Sequence, residues 1–440
     1  MATPHPPNPR SLFTPKSAEI PLADRPLSLD FTLPDHTRAR VVEVDTFDSI
    51  HVFLPSASTA NAAKRDSDDD DAEHIAEWHR EDGKGDKEKT SLHGVVQEHR
   101  AVWEDVWTLT LGEAEGAVGS GAEAVEGLMR HIWVSVYAFW LRRDPYERLP
   151  IRVGGGEAQR KLVHEYLVHT GLAFPAPEAK QPGNLLLVKA AFYQGAGAPT
   201  SLSWLRTPPS PFNAHLQSTS FPSVLSFTQR TAPPVLTTHP LRPAKPSPGS
   251  VVYARFIPSV GELLELTHID ASNKTHFDAY TRWQNSDRVN VGWREKGDAE
   301  HHRRYLSESL ADPHKMGYLV SWNGEPAGYG ECNWNQEDGM AAFVGGCGPY
   351  DQGTHLLVGE EKFRGRHRFA SIMVSMKHLC FLREPRTEVV IGEPRFDLSI
   401  IPLLKAYLPQ DLVKEVELPH KRAVFFVLRR ERFFLEGLFY

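Results

Sequence analysis

At 440 residues, with 40% hydrophobic and 24% charged side chains, the chain is too long for one ordinary core and has a globular composition, so about two or three domains are expected and a fibre is excluded. A formal net charge of -7 leaves no basic footprint for nucleic acid or for an anionic membrane surface. Three cysteines, Cys332, Cys347 and Cys380, make no disulfide framework and show no CxxC spacing, which fits a reducing compartment.

The first residues lack the apolar core of a secretory signal, and no apolar run approaches the ~20 residues of a membrane span, so the expected location is cytoplasmic. The terminal Gly437-Leu438-Phe439-Tyr440 is not a Ser-Lys-Leu type of peroxisomal address.

From Val41 to Leu54, apolar and polar residues alternate as in a half-buried strand, which opens an N-terminal domain over 1–206. Ala57 to Thr90, with its run of aspartates from Asp68 to Asp71, is too polar to bury a core and is expected as a disordered insert. Trp103, Trp107 and Leu111, then Ile132, Trp133, Val136 and Trp140, have the spacing of amphipathic helices. Leu185 to Ala190 reads as a short strand. Residues 207–249, rich in proline, read as a linker without periodic structure.

A second domain, 250–440, begins with a strand near Val251 to Pro258. Helices are expected at Phe277 to Trp283 and Ala299 to Ala311, and strands at Met316 to Trp322 and Gly328 to Trp334. Between these strands Asn323-Gly324 is a strong hairpin signal. Ala341 to Val344 and His355 to Val358 read as strands, Phe369 to Phe381 as a helix, Val389 to Gly392 as a strand, Ser399 to Tyr407 as a helix and Ala423 to Arg429 as a last strand. This order resembles a GCN5-related N-acyltransferase: an α/β (α+β) fold with a mixed, mostly antiparallel sheet flanked by helices, here expected twice.

The junction Glu361-Lys362-Phe363-Arg364-Gly365-Arg366-His367-Arg368 would set a helix N-terminus, with unpaired N–H groups and the positive dipole end, against a phosphate. Arg364, Arg366 and Arg368 would add charge-assisted donors, and a solvated basic cap is the competing reading. His355, on the preceding strand, and Asp397, after the following one, are the titratable candidates for proton transfer in a shared cleft. Trp334, Glu337, Asp338, Arg282 and Lys421 are candidates for the acceptor pocket. His301, His302 and His314 make no tetrahedral set, so no metal is expected.

Arg282-Trp283-Gln284-Asn285, Gly359-Glu360-Glu361-Lys362-Phe363-Arg364-Gly365, Gly392-Glu393-Pro394-Arg395 and Pro419-His420-Lys421-Arg422-Ala423 resemble the fungal siderophore N-acyltransferases, which acylate N-hydroxyornithine or N-hydroxylysine. The resemblance is strong from about Phe277 to Phe434 and weaker around Phe192 to Gly197. It implies direct acyl transfer from acyl-CoA to a hydroxylamine nitrogen, with His355 as general base and Asp397 either orienting the imidazole or holding the substrate amine. Leu356, Val358, Gly365 and His367 join the three arginines as expected acyl-CoA contacts. Leu398 stands where such relatives usually carry Asn, which bears on substrate detail. No cofactor beyond the acyl-CoA co-substrate and no nucleic-acid or membrane partner is expected; a homodimer is. Acylation of N6-hydroxylysine and a non-catalytic acyl-CoA-binding scaffold are the rival readings.

Overall fold

The computed structural model describes residues 26–44, 48–55, 72–81, 87–92, 95–100, 106–112, 122–143, 148–175, 183–207, 223–229, 233–436 and 439. The chain divides into two compact units that meet in sequence at Ser203 and Trp204.

The first unit is built on β1 (Ser28–Thr32), β2 (Arg38–Val44), β3 (Ser49–Pro55), β4 (Ala72–Arg80), a separate hairpin β5 (Lys87–Leu92) and β6 (Val95–Arg100), then β7 (Trp107–Leu111), α1 (Ala122–Arg142), β8 (Arg148–Val153), α2 (Glu157–His169), β9 (Ala173–Pro175), β10 (Leu185–Val188) and α3 (Lys189–Tyr193). Its sheet runs β1-β2-β3-β4-β7-β8-β10-β9. Trp133, Val136, Tyr137 and Trp140 of α1 are fully buried and form much of the core.

The second unit contains β11 (Ser223–Thr228), β12 (Val235–Pro240), β13 (Val251–Ile257), β14 (Glu262–His268), α4 (Lys274–Gln284), α5 (Asp287–Trp293), α6 (Ala299–Ala311), β15 (Lys315–Trp322), β16 (Glu325–Trp334), α7 (Ala341–Val344), β17 (Gln352–Val358), α8 (Arg366–Arg383), β18 (Val389–Gly392), α9 (Ile401–Tyr407), β19 (Asp411–Leu418), β20 (Lys421–Arg429) and α10 (Arg430–Glu436). Its sheet order, β13-β14-β15-β16-β17-β18-β20-β19, repeats that of the first unit strand for strand. Both sheets are antiparallel apart from one parallel pair, β7 with β8 and β17 with β18. Each parallel crossover carries a long helix, α1 or α8, as a parallel connection requires. None of the described helices is long and apolar enough to cross a membrane.

Local chemistry explains the second unit's elements. Asn323 and Gly324 take positive φ values of 47° and 80°, the backbone of a tight hairpin turn joining β15 to β16. The α4 helix starts on Asn273, whose side chain accepts from the Thr275 and His276 N–H groups, and α5 starts on Ser286, which accepts from Val289.

Four expectations need correction. The insert expected over 57–90 contains β4, in which Ile75, Ala76 and Trp78 are buried; these apolar residues and pairing on both edges order a segment rich in charge. The aspartate run itself lies outside the described residues. Trp107 and Leu111 belong to a strand because every second residue of Trp107–Leu111 is buried; Trp103 lies outside the described residues. The segment 207–249 holds the β11–β12 hairpin. Ala341–Val344 is one helical turn rather than a strand, closed by Gly345 at φ 90°.

Candidate active site

The site begins with a fork in the sheet. β17 pairs with β18 in parallel only through Gln352 with Val390 and Gly353 with Ile391, whereas on its other side it stays paired to β16 as far as Val358. From His355 onward β17 has therefore left the β18 ladder, and the opened edge points towards the start of α8. An extended thioester arm can lie in such a gap as though it were an added strand.

His355 stands two residues beyond the last parallel pair, with its side chain 41% exposed. Its Nε2 lies 3.2 Å from Oε1 of Glu393, the residue directly after β18. Glu393 is 9% exposed, and the same oxygen accepts from Nζ of Lys421, the first residue of β20, at 3.2 Å. Burial opposes the imidazolium, but the Glu393 carboxylate outweighs it, with help from Glu331, and holds the His355 pKa above its ordinary value. Burial would likewise raise the Glu393 carboxyl, yet His355 and Lys421 hold it far below the usual carboxylate range.

Glu331 lies directly across from His355 in the β16–β17 register, so both side chains share one face. It is 3% exposed and accepts 2.8 Å hydrogen bonds from the Tyr305 and Tyr329 hydroxyls. Trp293 stands with its ring centroid 6.4 Å from that of His355. The His355 imidazole thus has a carboxylate on β16 and another after β18, with the Trp293 ring nearby. With Nε2–H given to Glu393, Nδ1 is the nitrogen left to take a proton.

The junction expected to meet a phosphate lies at the start of α8. Gly365 is its N-cap, with φ 135° and ψ 155°, a conformation essentially confined to glycine, and no side chain caps the first N–H groups. Arg364 and Arg366 are exposed; Arg364 reaches Glu361 at 2.7 Å, and the Arg366 Nε lies 3.2 Å from Nε2 of His367, the next expected contact. Arg368 differs: it makes a two-pronged pair with Glu262, at 2.8 and 2.6 Å, and its guanidinium lies over the Trp322 ring. Its guanidinium is taken up by Glu262 and Trp322. Leu356 and Val358, both half-buried, line the open edge of β17. Arg288 fixes the end of that strand by donating to the carbonyls of Val358 at 2.9 Å and Gly359 at 2.8 Å.

Asp397 is not the carboxylate that meets His355. It pairs with Arg395 at 3.1 and 2.6 Å, and Arg395 also donates to the Val291 carbonyl at the end of α5. Among the acceptor-pocket candidates, Lys421 is at the site. Arg282 is 60% exposed and pairs with Glu360, beside the phosphate loop. The Glu337 carboxylate is held by Arg242 at 2.6 and 2.9 Å, Trp334 lies beneath the Arg242 guanidinium, and Asp338 accepts from the Met340 N–H at 2.8 Å in the turn before α7. These three carry contacts at and just after the end of β16. Glu393 and Glu331 went unassigned in the sequence. The signal for Glu393 was its place immediately after the strand next to that of His355.

Residues 272–403 match the acetyltransferase (GNAT) domain family. Over nearly the full length the chain is similar to the acyltransferase fer5 of Mycosarcoma maydis, at 52% identity over 99% of this chain and 97% of that one. It is also similar to the hydroxyornithine transacylase SID3 of Ajellomyces capsulatus, at 36% identity over 69% and 71% of the two chains. A third relative, at 32% identity over 71% and 74%, is the N(5)-hydroxyornithine:cis-anhydromevalonyl coenzyme A-N(5)-transacylase SIDF of Beauveria bassiana.

Proposed function

The chain belongs to the fungal siderophore N-acyltransferases of the GNAT superfamily, and from that premise we propose that it moves an acyl group from acyl-CoA to the N5 nitrogen of N5-hydroxyornithine, forming a hydroxamate. It is an acyl-CoA-dependent N-acyltransferase. The acceptor reading rests on the hydroxyornithine transacylases among the relatives, and the placement of His355 and Glu393 at the fork of β17 and β18 supports the transfer chemistry.

A hydroxylamine is much less basic than an amine and is mostly neutral at pH 7, so a strong base is not needed to free its lone pair. Nitrogen attacks the thioester carbonyl, the carbonyl electrons move to oxygen, and a tetrahedral intermediate forms. As the N–C bond forms, the nitrogen becomes acidic and gives its proton to Nδ1 of His355. Collapse breaks the C–S bond and CoA leaves with the sulfur electrons. The imidazolium that appears in this step faces Glu393, so the charge is stabilised where it develops. Lys421 keeps Glu393 ionised, and N–H groups on the open edge of β17 take the carbonyl oxygen. Arg364, Arg366 and the bare α8 N-terminus take the pyrophosphate. Asp397 fixes Arg395, and through it the loop after β18.

The first unit is assigned a scaffold role. Counting three residues past the first parallel pair gives His355 in β17 but Thr110 in β7, and the residues opposite them are Glu331 and Glu77. The repeated sheet keeps the carboxylate and lacks the base.

Thiol release tests the assignment, with acetyl-CoA and anhydromevalonyl-CoA as donors and N5-hydroxyornithine, ornithine and N6-hydroxylysine as acceptors. The expected result is turnover with N5-hydroxyornithine at least tenfold above the other acceptors, with the faster donor naming the acyl group. Preference for N6-hydroxylysine or ornithine would replace the acceptor, and CoA binding without acceptor-dependent release would favour a scaffold.

A further inference from the structure

We propose that His239, His314 and Glu337 form a binding site for a divalent transition-metal ion of the zinc type, which ties the β11–β12 hairpin to the sheet of the second unit. The three residues come from distant points in the sequence: the end of β12, the turn entering β15 and the turn leaving β16. One donor atom of each lies within 4.8 Å of the others, and all three side chains are buried. His239 Nδ1 is 3.0 Å from His314 Nε2 and 3.6 Å from Glu337 Oε1. Ligands about 2.1 Å from a tetrahedral ion stand roughly 3.4 Å apart, so those separations bracket the required spacing. Two imidazoles and a carboxylate suit zinc.

The surroundings supply what a metal-bound His314 needs, whereas His239 Nε2 is buried with no hydrogen-bond partner among the described residues. Nδ1 of His314 lies 3.2 Å from Oδ1 of Asp312, and a proton held there leaves Nε2 bare and aimed at the proposed ion. The Ser226 hydroxyl, on β11, lies 3.3 Å from the same His314 Nε2. Arg242 is the opposing term. It donates to both oxygens of Glu337, to the Pro349 carbonyl and towards Gln336, and its charge competes with a cation for Glu337. The ion would therefore bind less tightly than in a closed four-ligand site.

The contacts that secure the hairpin meet at this cluster. The Gln229 N–H and the Thr228 hydroxyl both donate to the Glu337 carbonyl, at 2.8 and 3.3 Å, and the Trp334 N–H donates to the His314 carbonyl at 2.9 Å. A metal ion would add a link from β12 to both strands that carry those contacts.

The test uses the full chain, freed of metal by chelation and dialysis and titrated with zinc chloride against a chromophoric competing chelator. Zinc-edge X-ray absorption then reads the ligands. One zinc per chain is expected, with two imidazole ligands. His239→Ala and His314→Ala should remove the site, and Asp312→Asn should weaken it by about 10- to 100-fold. Far-UV circular dichroism and thiol release establish that each variant is folded. Should the alanine variants fail to fold, the wild-type stoichiometry, its absorption spectrum and the Asp312→Asn affinity decide. Absence of stoichiometric zinc in the wild type, zinc without two imidazoles, or binding unchanged in the variants would overturn the proposal.

Discussion

Nε2 of His355 lies 3.2 Å from Oε1 of Glu393, across the gap where β17 leaves β18. This contact raises the pKa of the base and orients its ring, leaving Nδ1 for the acceptor. The imidazole accepts a proton only in its neutral form, so activity should rise with pH through the raised pKa. Replacing Glu393 by Gln removes the carboxylate that raises it. The acidic limb of the kcat/KM profile should move to lower pH, and kcat at the plateau should fall because the imidazolium loses its counter-charge. Asp397→Asn, which alters the Arg395 pair, should leave the limb in place. A limb that moves with Asp397→Asn and not with Glu393→Gln would reverse the assignment of the two carboxylates.

Arg364 and Arg366 are exposed at the α8 N-terminus, while Arg368 is bound to Glu262. Alanine at either of the first two should raise the KM for acyl-CoA several-fold with little change in kcat, and the effect should shrink at high salt because exposed charges are screened. Arg368→Ala should lower thermal stability instead, since it loses a two-pronged ion pair and stacking on Trp322. Steady-state kinetics in acyl-CoA and a melting curve for each variant separate the two kinds of arginine.

Glu337 is 3% exposed and carries both hydrogen bonds from Arg242. Removing one partner of a buried ion pair costs about 3–5 kcal/mol. Arg242→Ala should therefore unfold at markedly lower denaturant, while the KM for hydroxyornithine of the folded enzyme stays unchanged. A large rise in that KM with unchanged stability would return Glu337 to the acceptor pocket.

The most legible parts of the fold were those whose local chemistry agrees with the tertiary structure. Asn323-Gly324 announces its hairpin because few other residues accept two positive φ values, and the order of β17, glycine–arginine loop and α8 is readable before any packing is known. Segments whose character depends on partners were harder to read. Trp107 and Leu111 are four apart, a helical interval, and only the burial of Leu109 between them reveals a strand. β4 looks too polar to order until β3 and β7 pair with its two edges and α1 packs on Trp78, through Ser135 and Phe139. Beside His355, the contact with Glu393 was not legible, because Lys421, 28 residues away, shares that carboxylate while the neighbouring Arg395 holds Asp397.

Thiol release with acyl-CoA and N5-hydroxyornithine, compared between the wild type and His355→Ala, tests the central claim most directly. The variant should lose roughly 10²- to 10⁴-fold in kcat, the usual contribution of a general base, while its affinity for acyl-CoA stays within a few-fold of wild type. A folded His355→Ala enzyme that turns over hydroxyornithine at the wild-type rate would contradict the account.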